Sequence, residues 1–579
     1  MSRLALLSIV IAVSVADARA FQSSCTTERA NVNGAGQQAN AASYYCEVSA
    51  NGRFVVFDSA AANLVPNDTN GKTDVFVRDL QASTTELVSV SSSGAQGDNT
   101  SGGVWTRSAI SADGRYVAFA SYASNLVPGD TNASSDIFVR DRWNGQTERV
   151  SLTNAGLQSD GPDGGWWPSM SSDGRFVAFV ETNLDGEALA YTNVYVRDRV
   201  AMTTVRVSSD ANGVVGNKMS DIPSISADGR FVAFESRANN LVPGDLNHRI
   251  DVFVRDLAAN TTTRVNVDSA GVEADNIGYT SFVHNLAISA DGRTVVWDDW
   301  ATNLVPSDTN MANDVFAHDL VTGQTDLVSA SPIGAVGSAF SFAPSVSADG
   351  RYVVFESYAG NLAANAPYNG YTQIFVRDRS TATTTLSSVD TTSGVANGGS
   401  DWPAISGDGS VVAFNSYATD LAPGDTNALL DIYVRRCVPP PSSYCTAKVN
   451  SLGCTPAIGS SGTPSASSTS AFDVSATQVI NNKSGILFYG LSPSAIPFHN
   501  GWMCVAAPRV RTAIQTSGGN PPPDDCSGVF SYDFNARIQS GADPLLAPGV
   551  EVFCEFWYRD PKDPRNDGFS DALRFTIES

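Results

Sequence analysis

Residues 111–121 read Ser-Ala-Asp-Gly-Arg-Tyr-Val-Ala-Phe-Ala-Ser, and residues 136–141 read Asp-Ile-Phe-Val-Arg-Asp. The first stretch recurs in recognisable form at 49–59, 171–181, 226–236, 289–299, 347–357 and 406–416. The second recurs at 74–79, 193–198, 251–256, 314–319, 373–378 and 431–436. A period of ~60 residues is the signature of stacked repeats. Within one unit, 108–111 is a short apolar-alternating run, Asp113-Gly114 is a tight turn, and 116–120 is the continuous apolar run of a strand buried on both faces. A polar loop, the strand 136–141, the turn Asn144-Gly145 and a last strand at 147–151 complete a four-stranded antiparallel meander. One such meander cannot bury both its faces, so the copies stack radially, and seven copies predict a seven-bladed β-propeller.

Closure of the ring is legible at the termini. The seventh copy supplies only three strands before the chain runs into Cys437-Val438-Pro439-Pro440-Pro441. The segment 27–36 aligns with 147–156, the outer strand and following turn of another copy. The chain start therefore supplies the outer strand of the seventh blade. This registration sets Cys25 opposite Cys437 and predicts a disulfide between them, contributing ~4–5 kcal/mol in the chain-entropy picture. Cys445–Cys454 and Cys504–Cys526 are the further pairings expected, leaving Cys46 and Cys554 unassigned.

The chain has 579 residues, a formal charge of −23 and eight cysteines. Residues 1–20, with Arg3, an apolar run and Ala18-Arg19-Ala20, read as a cleaved secretory signal. An even cysteine count behind an export signal implies disulfides in an oxidising compartment, secreted or periplasmic. The acidic balance argues against nucleic acid and anionic membranes as partners. The expected organisation is a propeller over 21–437, a Pro/Ser/Gly-rich linker with a cysteine-containing entry over 438–471, and a small disulfide-stapled β-sandwich over 472–579. Strands are expected there at 485–490, 501–505, 528–534, 550–557 and 573–577.

The segments ISADGRYVAF, VSADGRYVVF and ISADGRFVAF resemble the WD40-like (PD40) repeat of TolB-type propellers, and the resemblance covers about residues 25–436. It implies the fold and is poor for function. The stretch Tyr-Cys-Thr-Ala-Lys-Val-Asn-Ser-Leu-Gly-Cys at 444–454 is similar to the start of C-terminal modules in secreted bacterial multidomain proteins.

In each unit the second-to-third strand and blade-to-blade connections are long and leave from one face, where recognition is expected. Five second-to-third loops carry Asp-x-Asn-x-x-x-Asp: Asp68, Asn70 and Asp74; Asp130, Asn132 and Asp136; Asp245, Asn247 and Asp251; Asp308, Asn310 and Asp314; Asp425, Asn427 and Asp431. Two readings stand: oxygen ligands for Ca²⁺, which takes hard donors from turning loops, or Asx-turns that cap the third strand. The blade-to-blade loops end in Tyr44 and Tyr45, Trp105, Trp166 and Trp167, His284, Phe342 and Trp402. With Asp160, Asp163, Asp221 and Asp401 these are candidates for ligand binding around the channel mouth, or for packing between blades. The Arg of Phe-Val-Arg-Asp, replaced by His318 in the fifth copy, reads as structural and paired with a neighbouring carboxylate.

No catalytic motif is present, and the four histidines, His248, His284, His318 and His499, are scattered. No catalytic residue is assigned, although Asp298-Asp299-Trp300 is a carboxylate pair beside an aromatic. The reading is a monomeric, non-catalytic binding protein presenting a loop-rich face to a protein or glycan partner. The alternative is a carbohydrate-active enzyme, lyase or glycosidase, with two or more carboxylates converging at the channel mouth.

Overall fold

The computed structural model describes residues 25–103, 106–159, 164–182, 184, 191–275, 285–437, 441–499 and 501–578. The predicted leader therefore lies outside the described residues. The chain divides into two compact units, Thr26–Arg436 and a second built from Cys437 onward.

The first unit is a β-propeller. Seven four-stranded antiparallel sheets lie among the described residues, six formed by consecutive strands and one joining Cys25–Arg29 to Asp431–Cys437, Val411–Ser416 and Ser400–Ile405. The first strands of successive sheets are neighbours round the ring, and those of the first and seventh sheets meet. A shared apolar core fills each interface. Val55 and Phe57 of blade one, for example, pack with Val411, Ala413 and Ile432 of blade seven. Opposed aromatic pairs repeat in all seven sheets, from Phe57–Phe76 to Phe414–Tyr433, with centroids 5.8 to 6.2 Å apart.

The recurrence of the two motifs together has a physical cause. The Arg of the first donates two hydrogen bonds to the terminal Asp of the second, as in Arg115 Nε and Nη2 to Asp141 at 3.0 and 2.6 Å. Arg53–Asp79, Arg175–Asp198, Arg230–Asp256, Arg293–Asp319 and Arg351–Asp378 repeat the pair. In blade seven both halves change together, to Ser410 and Arg436. This corrects one expectation, because the Arg of Phe-Val-Arg-Asp is not the carboxylate partner. Arg140 donates instead to Thr147 Oγ1 and to the carbonyls of Gly145 and of Ser91 in the preceding blade. His318 in that place meets Thr325 Oγ1 at 2.9 Å, and burial lowers its pKa.

The Asp-Gly turns carry the ring contacts. Gly114 has φ +77°, and a Cβ there would sit 2.1 Å from the Phe54 ring of the preceding blade, so only glycine fits. Six of the seven turns also donate a backbone hydrogen bond to the next blade's turn: Asn51 to Ala112, Ala112 to Ser172, Ser172 to Ala227, Ala227 to Ala290, Ala348 to Gly407, and Gly407 back to Ala50. At the latch, Ala30 N donates to Ile432 O at 2.8 Å, Asn31 Nδ2 to Asp431 Oδ1 at 2.6 Å, and a disulfide joins Cys25 to Cys437 across a separation of 412 residues.

In the second unit two sheets pack face to face, a β-sandwich. Strands Ser442–Tyr444, Asp567–Thr576, Glu551–Arg559 and Ser484–Gly490 form the larger sheet with short edge pieces. Ala457–Ser461, Asp473–Val479 and Gly528–Asp533 form the smaller. Val474, Ala476 and Phe530 meet Leu487, Val552, Phe556 and Leu573 in the core. Residues 441–471 thus supply strands to both sheets rather than a linker. The run expected to be strand through Phe534 ends at Asp533, whose side chain caps the helix Phe534–Gln539.

The disulfides of this unit also correct the sequence reading. Cys445 pairs with Cys504 and Cys454 with Cys526. The strand Ser442–Tyr444 carries Cys445 to Cys504, whose carbonyl accepts from the Tyr444 hydroxyl, and the turn 450–454 brings Cys454 to Cys526. Cys46 and Cys554 are free thiols. Three disulfides are the mark of a protein that folds outside a reducing cytosol. Among the described residues no helix is long and apolar enough to cross a membrane.

Candidate functional site at the channel mouth

The first strands of blades one, three, four, six and seven each carry a β-bulge near the loop-rich face. The bulged residue is Tyr45, Trp167, Ile222, Ala343 or Trp402, and the last four have φ between 48° and 53°. A bulky residue held in the left-handed region is costly, and bulges of this kind re-aim a side chain. The aligned residue of blade two is Arg107. Its guanidinium lies 4.8 Å from the Trp402 ring centroid, 5.3 Å from Trp167 and 5.9 Å from Tyr45, while Tyr45 and Trp402 meet edge to face at 4.9 Å. Three aromatics from three blades therefore surround a cation from a fourth, a favourable quadrupolar arrangement.

Carboxylates gather around this cluster. Glu47 stands where the other blades have Ala or Ser. Burial pushes its pKa up to about 7, with Arg107 opposing the rise. Glu356 accepts from Trp402 N at 2.7 Å. Its pKa is pushed up to about 8 by burial and by the Asp401 charge. Asp58, pushed up to about 7 by burial, accepts from Gly103 N and Ser108 Oγ of blade two, both at 3.0 Å. Asp401 and Asp221 accept from Thr372 at 2.6 Å and Thr192 at 2.7 Å. Asp298 accepts from Asn313 Nδ2 at 2.7 Å and Asn285 N at 3.2 Å, and burial raises Asp299.

Of the residues singled out by sequence, Trp105, His284, Asp160 and Asp163 lie outside the described residues. Trp167, Trp402 and Tyr45 converge, but on Arg107. Trp166 pairs across the strand with Val180, Asp221 with Glu235, and Phe342 with Glu356. Arg107, Glu47 and Glu356 were not singled out. Departure from the repeat marks the first two, since neither residue type occurs at its position in any other copy.

The loop-rich face also carries an aromatic strip. Trp300 meets Phe340 at a tilt with ring centroids 5.1 Å apart, and Phe340 meets Phe342 likewise at 6.0 Å. Tyr358, Tyr368, Tyr371 and Tyr417 are exposed on the long loops of blades six and seven, Tyr368 by 65 %. Burial raises the Tyr358 pKa, and the charges of Asp401 and Glu356 and the Tyr368 phenol add to the rise, which places Tyr358 near the channel carboxylates.

In all five Asp-x-Asn-x-x-x-Asp loops the Asn oxygen accepts from the backbone N–H two residues on, as Asn70 does from Lys72 at 2.8 Å. Each Asn amide donates to a carbonyl of the segment leading to the next blade. These are Asx-turns. The third-strand Asp is buried in every case.

The raised carboxylates set a pH dependence. Glu47, Glu356 and Asp58 bind protons more tightly when folded than at their ordinary values of 4.5, 4.5 and 3.8. Their contribution is full below about pH 4 and is lost as pH rises through 7 to 8. Asp141, Asp198 and Asp378, held at about 2, act in the opposite sense only below about pH 4. Thermal unfolding midpoints therefore fall steadily between pH 5 and pH 8, and a midpoint that rises over that interval contradicts the assignment.

No protein-family model matches the sequence, and no curated protein does. Similar solved structures include a protein described as TolB from Agrobacterium tumefaciens, 15% identical over 49% of this chain and 79% of its own, with a TM-score of 0.29. An oligogalacturonate lyase in complex with manganese is 11% identical over 71% of this chain and 90% of its own, with a TM-score of 0.40. An acylaminoacyl peptidase of Pyrococcus horikoshii is 10% identical over 76% and 57%, also at 0.40.

Proposed function

We propose that this is a non-catalytic binding protein, secreted or periplasmic, whose loop-rich propeller face docks a glycan chain along the aromatic strip of blades five to seven. The observation that carries this reading is the division of labour among aromatics. Those at the channel are consumed by the chain's own Arg107, whereas Phe340, Tyr358, Tyr368, Tyr371 and Tyr417 stand exposed on loops. Exposed aromatic faces flanked by carboxylates such as Asp401 suit sugar rings, whose apolar faces stack while their hydroxyls bond to the acids. The channel carboxylates Asp58, Glu356, Asp221 and Asp401 are each engaged by hydrogen-bond donors within the protein. A cleaved leader over residues 1–20 and a monomeric state belong to the same proposal.

A glycan array followed by titration with the positive hit tests it. The expected result is saturable binding without turnover, weakened at least tenfold, about 1.4 kcal/mol, in a Tyr358→Ala/Tyr368→Ala double variant of unchanged melting behaviour. Saturable binding to a protein ligand with no glycan bound would replace the partner class.

A second reading has its own support. Glu47 and Glu356, raised to about 7 and 8, are carboxyls poised for proton transfer near neutral pH. A lyase or glycosidase working at the channel would release reducing ends from a polysaccharide, and a Glu356→Gln variant would not.

A further inference from the structure

We propose that blade five holds a Ca²⁺ ion between Asp308 and Asp314, at the place where other blades put a nitrogen donor of their own. The same site differs from blade to blade round the ring. In blade two Arg149 lies 3.3 Å from Asp130 and 3.0 Å from Asp136. In blade seven Arg29, supplied by the other chain end, lies 3.5 Å from Asp425 and 3.4 Å from Asp431. In blade four Arg264 lies 4.0 Å from Asp245 and 3.9 Å from Asp251, and 2.6 Å from Glu273. Blade one has no arginine there, but Gln96 Nε2 donates to Asp68 at 2.7 Å and to Asp74 at 3.1 Å.

The strand register makes these positions equivalent. Arg149 faces Phe138, Arg264 faces Phe253, Leu87 faces Phe76, and in blade five Leu327 faces Phe316. Gln96 bridges Val90, and its blade-five equivalent, bridging Ala330, is Val336. Blade five has therefore lost both the arginine and the glutamine, yet it keeps both acids. Blade six shows the other outcome: Leu386 stands in the arginine position, and Pro367 and Gln373 have replaced the two acids.

The result in blade five is a pair of buried carboxylates with, among the described residues, no cation in ion-pair contact. Asp308 is only 6 % exposed and Asp314 is fully buried. Asp314 accepts from Ser329 at 2.6 Å and from Asn310 at 2.7 Å. The Asn310 backbone N–H faces Asp308 and favours its charge, but neither Asp308 oxygen has a hydrogen-bond partner of acceptable geometry. Burial raises both pKa values, with the Asp275 charge adding to the rise at Asp308 and the Asp308 charge to that at Asp314. Hard anionic oxygens from the loop and from the start of the strand that follows it suit Ca²⁺, with water completing the coordination.

The test compares thermal unfolding of the full chain in EDTA and in 1 mM CaCl₂, with calorimetric Ca²⁺ titration alongside. Expected for the wild type is a midpoint about 2 °C or more higher in Ca²⁺ and a single binding isotherm. Asp308→Asn abolishes both. Leu327→Arg, which restores the guanidinium of the other blades, melts in EDTA as high as the Ca²⁺-loaded wild type and ignores the ion. Equal wild-type midpoints in EDTA and Ca²⁺ would mean that the two acids share a proton instead, and would overturn the proposal. A Ca²⁺ response surviving in both variants would also overturn it by placing the ion elsewhere, such as at the acidic trio Asp245, Asp251 and Glu273.

Discussion

Replacing Cys25 by serine lowers the stability of the propeller by ~4–5 kcal/mol, because the disulfide to Cys437 closes a loop of 412 residues in the unfolded chain. With an unfolding entropy of ~2.1 cal/mol/K per residue over a unit of that length, the thermal midpoint falls by about 5 °C. Two further effects point the same way. Cys25 begins the outer strand and Cys437 ends its neighbour, so without the bond this edge frays from its tip. Fraying also releases Arg29 from Asp425 and Asp431, leaving two buried acids unpaired. Differential scanning calorimetry of Cys25→Ser against Cys437→Ser checks the claim: both variants fall together, and the double variant falls no further. A midpoint unchanged in the single variants would show that the strand alone holds the ring.

Arg107→Met is expected to cost about 3 kcal/mol at pH 8, the lower end of the range for removing one member of a buried charge cluster. Arg107 is the cation opposing the charges of Glu47 and Glu356 and the centre on which Tyr45, Trp167 and Trp402 pack. Methionine keeps much of the volume, so the loss is chiefly electrostatic. Its size then depends on pH. At pH 5 both glutamates are protonated in the folded protein, and the deficit shrinks to the lost ring contacts. At pH 8 both must ionise without a partner or hold their protons against solvent. Chemical denaturation at the two pH values measures this difference, and adding Glu47→Gln to Arg107→Met recovers part of the pH 8 deficit. A deficit equal at both pH values would make Arg107 a packing residue only.

The architecture was readable because each copy repeats the same physical solution. The Arg115–Asp141 bridge, the Gly114 contact on Phe54 and the opposed aromatics are all local consequences of the motif. The latch was readable because residues 27–36 keep the outer-strand pattern at the wrong end of the chain. The second unit does not repeat, so its cysteine pairing follows from which strands adjoin, and spacing misled. Cys445 and Cys454 are near in sequence, but they leave toward different partners. The channel cluster was half legible: Trp167 and Trp402 stood out by size, but their common target, Arg107, reads as an ordinary surface charge until the bulges turn those rings inward. The blade-five acids look the same in sequence as their four counterparts. Only the cross-strand neighbour, Leu327 in place of arginine, separates them.

The turn-to-turn hydrogen bonds all run in one rotational sense, each blade donating to its successor, and the circuit has one interruption, between Ala290 and Ala348. There the glycine of the next turn, Gly350, rests on the small Thr294 where most other joints offer an aromatic ring. The joint sewn from the two chain ends is thus the reinforced one, covalently clasped and hydrogen-bonded. The joint without that turn-to-turn bond falls inside the continuous chain, like the split in a lock washer placed away from the weld. The Ala290 amide, which makes no turn-to-turn bond, is expected to exchange with solvent faster than the Asn51, Ala112, Ser172, Ala227, Ala348 and Gly407 amides.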